Sequence, residues 1–298
     1  MQILILILLA SCGAPNKGVS TSSPLDEVKA KRDLYIELAK EEVDEYGWLS
    51  PRCDGLLFNS LAALSGFPVD PLLSEISPGE WERHPSKCFR NGSKSSISRD
   101  MFRGLLLWLY SEKKLDKIRE IKDYCDNHQV AGGLGCAMGE AVDEESYWGR
   151  VVMTPGMRWQ INRALKISSP VSSAKGDFEA HLDALRIFLD YKIDGGLSNA
   201  DVKTLENYAD NSPRNALYRI LANKFTSSDQ SQAISILLDE KLFPSNRLPT
   251  DSDHYTHYLW QRDDNEDWLP CGSSDKRPCE GVTHSGIDFI FAVKLLEE

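Results

Sequence analysis

Two kinds of apolar patterning run along the chain. In LDEVKAKRDLYIELAKEEVDEY and KLDKIREIKDYC the apolar residues return every three or four positions. That spacing leaves one greasy stripe and one charged face, as on a helix that covers a core and faces water. In DGLLFNSLAALSG, DMFRGLLLWLY and GIDFIFAVKLL nearly every side of the helix is apolar, so other helices must enclose it. Ser23-Pro24 supplies an N-cap and a first-turn proline, and the first amphipathic run is expected to continue to a stop at Gly47. The pattern predicts further helices over 54–64, 100–111, 114–127, 154–166, 177–191, 199–209, 213–223, 229–240 and 286–296. Only VVM at 151–153 reads as a strand. The expected class is all-α, a two-layer helical assembly whose simplest form is an α/α toroid, complete or incomplete. A bundle or solenoid is the alternative, although no fixed period marks a repeat array.

Three long connections, 67–97, 130–153 and 242–285, interrupt these helices. Loops of that length without regular structure are usually functional or disordered. Each holds at least one cysteine and one tryptophan: Trp81 lies near Cys88, Trp148 follows Cys136, and Trp260 and Trp268 precede Cys271. Disulfide-stapled aromatic loops suggest a fixed rim around a cleft.

The first residues have a different character. The apolar run over 3–10 is too short to span a bilayer, which takes about 20 residues, and fits a signal-peptide core. The small, polar stretch GAPNKGVSTSSP behind it reads as a tether. Leu9-Ala10-Ser11-Cys12 at the end of the apolar run resembles the lipobox of bacterial lipoproteins. The resemblance covers only the export segment, and implies cleavage before Cys12 and lipidation of that residue. Gly13 after the cysteine implies, within that family, sorting to the outer membrane of a Gram-negative cell. More than one acyl chain is what stable anchoring requires. One departure is that only Met1 and Gln2 precede the apolar run, with no Lys or Arg; a cleaved secretory signal with an incidental cysteine is the alternative. The expected organisation is a signal peptide at 1–11, a tether at 12–23 and a single helical domain at 24–298.

The chain has 298 residues, seven of them cysteines, and a formal charge of −11. Leaving out Cys12, the remaining cysteines are Cys53, Cys88, Cys125, Cys136, Cys271 and Cys279, an even set that in an exported chain reads as disulfides. Sequence leaves the connectivity open. The economical pairing joins neighbours, Cys53 with Cys88, Cys125 with Cys136, and Cys271 with Cys279. None has the close spacing of a zinc knuckle, so metal binding is the weaker rival. The negative charge disfavours nucleic acid and anionic lipid surfaces as partners. At 41% hydrophobic and 27% charged, the composition is that of a folded chain.

Candidate chemistry begins with the enclosed helices, each of which opens with an aspartate: Asp54, Asp100 and Asp288. Helix capping and the macrodipole explain any one of them without function. Together around one hollow they suit glycosidic cleavage, where an inverting route needs two carboxyl groups roughly 6.5–9.5 Å apart. Asp54 and Asp100 are the candidate pair; the division of roles is open, with Asp100 preferred as acid because its helix is the more apolar. Arg52 and Arg99 lie close in sequence and would hold one carboxylate ionised. Trp81, Tyr147, Trp148, Tyr255, Trp260 and Trp268 are loop aromatics that can stack on pyranose faces or pack against the disulfides, whereas Trp108 and Trp159 have helical spacing and suit a core. In helical layering alone the chain resembles toroidal glycosidases and polysaccharide lyases. That likeness implies an enzyme acting on a carbohydrate polymer; no cofactor is expected. A non-catalytic glycan- or protein-binding lipoprotein is the alternative.

His254 and His257 are spaced three apart and His284 precedes Asp288 by four, but the glutamate and spacing of a two-histidine metalloprotease are missing. Hydrogen-bonding histidines are expected, with His254 a candidate proton shuttle; no metal site is expected. DYKIDGGLSNAD imitates a calcium loop, but Lys192 occupies a ligand position and Asp201 replaces the closing glutamate. A helix stop at Gly195-Gly196 followed by an Asn199 cap explains the same residues.

Overall fold

A computed structural model describes residues 22–41, 43–49, 55–87, 97–128, 153–168, 180–240, 242–246 and 286–298. Over these residues the chain forms ten α-helices and one small hairpin. Helix α1 (Pro24–Lys40) starts at a capping box: the Ser23 hydroxyl accepts from the Asp26 N–H, and the Asp26 carboxylate accepts from the Ser23 N–H. It stops at Lys40 rather than running on to Gly47. The reason is local, since Asp44 Oδ1 accepts from the N–H groups of Tyr46 and Trp48 at 2.8 and 2.9 Å. A carboxylate bonding its own backbone two and four residues ahead offers the chain a turn in place of a helix.

Helices α2 (Leu56–Leu64), α3 (Arg99–Ser111), α6 (Ala180–Asp194), α8 (Ala216–Thr226) and α10 (Ile287–Glu297) are buried along most of their length. They form a closed circuit: α2 packs on α3, α3 on α6, α6 on α8, α8 on α10, and α10 returns to α2. The other five, α1, α4 (Leu115–Asn127), α5 (Pro155–Ala164), α7 (Asn199–Asn211) and α9 (Ser231–Leu238), lie against this circuit. Helix α4, for example, buries only Ile118, Ile121 and Cys125, one stripe at helical spacing. Between α2 and α3 the approach is close because residue 104 is glycine. A Cβ there would fall 2.5 Å from Leu57 Cδ1 and 3.1 Å from the Leu57 carbonyl oxygen.

The connection after α2 was expected to lack regular structure, yet it contains a 3₁₀ turn at Pro71–Ser74 and an antiparallel hairpin, β1 (Glu75–Ser77) with β2 (Glu80–Trp81). Strands of three and two residues are too short to display a period of two. The expected strand at 151–153 is not formed at Met153, a buried residue outside regular structure, and its other two residues lie outside the described ones. Among the described residues no helix is long and apolar enough to cross a membrane.

Candidate functional site at the start of helix α2

Of the three acids expected to converge, two are described. Asp100, half-buried in the first turn of α3, accepts a short hydrogen bond from the Ser98 hydroxyl, and Arg99 beside it is exposed. Asp288, 7% exposed in the first turn of α10, accepts from the Phe289 N–H at 2.9 Å. Their helices both pack on α2. Asp54, His254, Tyr147, Trp148, Tyr255, Trp260 and Trp268 lie outside the described residues, as do Arg52 and every cysteine except Cys125. Cys125 is disulfide-bonded.

Trp81 requires a correction. Of the two roles its sequence context allowed, a sugar-stacking platform or a packing residue, the first does not fit, since it sits on β2 at 1% exposure inside the hydrophobic core. It borders an apolar cavity of about 10 Å³ with Phe102, Ile121 and Met153, barely room for one water. Neither Asp100 nor Asp288 lines that cavity. Trp108 is also core, and Trp159 is half-buried beneath the Arg163 guanidinium, 4.0 Å from its ring centre.

Ordered acid–base chemistry gathers instead around His84. The Arg83 carbonyl accepts from the N–H groups of Gly55 and Leu56, which fixes this stretch against the start of α2. Facing it, residues 43–49 are tied to the same helix by the buried Asn59, whose Oδ1 accepts from the Leu49 N–H at 2.9 Å. The His84 ring is thereby trapped, 4% exposed, in T-shaped contact with Trp48 and Tyr46. Nδ1 lies 2.7 Å from the Ser86 hydroxyl and accepts from the Ser86 N–H at 3.2 Å. With the Ser86 N–H directed at it, Nδ1 is the acceptor nitrogen of the neutral ring, which assigns the ring proton to Nε2. Nε2 lies 2.7 Å from Asp44 Oδ2, close but not aligned as a hydrogen bond. Asp44 uses its other oxygen for the Tyr46 and Trp48 N–H groups, so its orientation is fixed independently of the histidine.

Sequence reasoning missed this cluster. Glu80, Glu82 and His84 occupy alternate positions in GEWERH, and all are buried, at 6%, 1% and 4% exposure. Ionisable side chains at every second position just after Pro78-Gly79 were the available signal. Its meaning depended on Asp44, 40 residues away.

A second charged cluster joins α5, α6 and α7. Arg186 donates to Asp183 at 2.5 Å, Asp190 at 2.8 Å and Asp201 at 3.1 Å. Burial disfavours its charge, but these carboxylates outweigh that and raise its pKa above the usual arginine value. Arg163 binds Asp190 and Asp194, Gln160 donates to Asp190, and Tyr208 donates to Asp183. The aspartates of the calcium-loop imitation thus face arginines, Gly195 makes a left-handed turn at φ 74°, and Ser198 rather than Asn199 caps α7. The cluster locks three helices together. Comparison of the chain with family models, curated proteins and solved structures gives no match.

Proposed function

We propose that the chain is a lipid-anchored protein of the bacterial cell envelope, outer membrane by the residue after Cys12, that hydrolyses a carbohydrate polymer. The supporting observation is the closed circuit of five enclosed helices, in which the two helices bearing Asp100 and Asp288 in their first turns flank α2. We read that circuit as an incomplete α/α toroid, with Cys125 paired to Cys136 and the other cysteines to their sequence neighbours. In this reading Asp100 protonates the glycosidic oxygen and Asp54 activates water. The Ser98 hydroxyl holds the Asp100 carboxyl in place. The anchor holds the enzyme at the membrane and the acidic surface discourages nucleic acid.

The test is hydrolysis of a panel of envelope and plant polysaccharides by wild type and Asp100→Asn, with helix content compared by circular dichroism. Wild-type cleavage that is lost in a folded Asp100→Asn variant supports the reading. No cleavage, or equal cleavage by the variant, overturns it. A non-catalytic glycan-binding role is favoured by one observation: Asp288 spends an oxygen on a backbone N–H at its helix start, as a purely structural residue does. Glycan retention without turnover is its signature.

A further inference from the structure

We propose that Ser86, His84 and Asp44 form a nucleophilic site that hydrolyses carboxylic esters. A serine hydroxyl in reach of a base, with the base held by a third group, is the arrangement that activates a weak nucleophile. Here the hydroxyl is 2.7 Å from Nδ1 and the carboxylate 2.7 Å from Nε2. The two ring nitrogens exchange roles relative to the familiar serine–histidine–aspartate template, which is recognised by geometry and not by sequence order. A local turn would need only the Ser86 N–H on Nδ1. The hydroxyl on the same nitrogen and a carboxylate from a distant segment on the opposite one exceed what a turn requires. The Asp44 carboxylate acts on the ring through its charge, 2.7 Å from Nε2, and an opposite charge at that range favours the imidazolium.

The chemistry balances without a cofactor. Ser86 Oγ attacks the ester carbonyl carbon as its proton passes to Nδ1. The imidazolium so formed is stabilised by Asp44. The bond to the alcohol oxygen then breaks, and that oxygen takes the proton from Nδ1. Water attacks the acyl-serine, giving a proton to Nδ1, which returns it to Ser86 Oγ as the acid leaves. Ester and water become acid and alcohol, with no change of oxidation state. Ser86 is half-buried, more open than the imidazole behind it, and Tyr46 at 36% exposure offers an apolar wall beside the ring for the acyl group.

The test treats the full chain with a fluorophosphonate probe and with p-nitrophenyl acetate. Expected are probe mass on the peptide containing Ser86, and ester turnover that falls at least about a hundredfold in Ser86→Ala. Asp44→Asn, as a positioning variant, is expected to lower kcat while KM holds. Wild type unlabelled at Ser86, or Ser86→Ala turning over ester at the wild-type rate, overturns the proposal. Since Ser86→Ala removes one oxygen from a half-buried residue, intact thermal unfolding confirms that the loss is chemical. Neither readout scores glycosidic cleavage, so this proposal and the glycan reading can fail separately.

Discussion

Replacing Gly79 with alanine puts a methyl group where the hairpin meets α4. Gly79 has φ 80°, and a Cβ built on it would lie 2.1 Å from the Glu120 carbonyl oxygen and 2.9 Å from the Ile121 nitrogen. Both are backbone atoms inside α4, committed to its hydrogen-bond ladder, so neither can swing aside as a side chain can. Two costs add. A left-handed backbone costs a non-glycine residue about 1–2 kcal/mol, and overpacking against atoms that cannot yield costs about 1–3 kcal/mol. Reduced freedom of the unfolded chain returns about 0.4–1 kcal/mol. The expected net loss is therefore about 1–4.6 kcal/mol, centred near 3 and a large part of a typical domain's stability of about 5–15 kcal/mol. Gly195→Ala is the control. Its φ of 74° is nearly the same, but no atom lies within 4 Å of its would-be Cβ, so it carries the backbone cost alone. Urea unfolding followed by circular dichroism at neutral pH measures both, and the difference isolates the clash with α4. Equal losses, to within about 0.5 kcal/mol, the usual scatter between independent sites, would refute the docking of the hairpin described above.

Arg186→Met leaves Asp183 and Asp190 buried without their shared cation, a loss of about 3–5 kcal/mol. A change below about 1 kcal/mol, the worth of a surface pair, would show that the cluster does not lock the helices. Glu240 gives a pH test. Burial pushes its pKa up, but the Lys31 ammonium and the Ser245 hydroxyl and N–H outweigh burial and bring it below the usual 4.5. A lowered folded-state pKa contributes stability that is present above 4.5 and lost as pH falls through the lowered value. Glu240→Gln should therefore lower the urea midpoint at neutral pH, by no more than about 1 kcal/mol for so exposed a carboxylate. That gap should close in acid; a gap that persists unchanged there would contradict the assignment.

Sequence alone placed the helices, because their start signals and apolar periods are local. Ser23-Pro24 and Thr154-Pro155 cap α1 and α5 where expected, and the all-round apolar α2, α3 and α10 are enclosed. Helices α6 and α8 did not reveal themselves as enclosed. The charged residues of α6 and Arg219 and Lys224 of α8 count as solvent-facing in any hydropathy pattern, and in α6 a partner such as Arg186 for Asp183 lets them be buried. The hairpin was hidden for a different reason, since two very short strands gain their stability from docking Gly79 onto α4 rather than from their own sequence.

The amino-acid order by itself determined the all-α class and the positions of the helices, since backbone preference and amphipathic period act over a few residues. Only the tertiary structure decided that five of them close into a circuit, that Trp81 is core, and that His84 meets Asp44 and Ser86 at its two nitrogens. Those outcomes depend on contacts between segments far apart in the chain, and such contacts leave no period in the sequence.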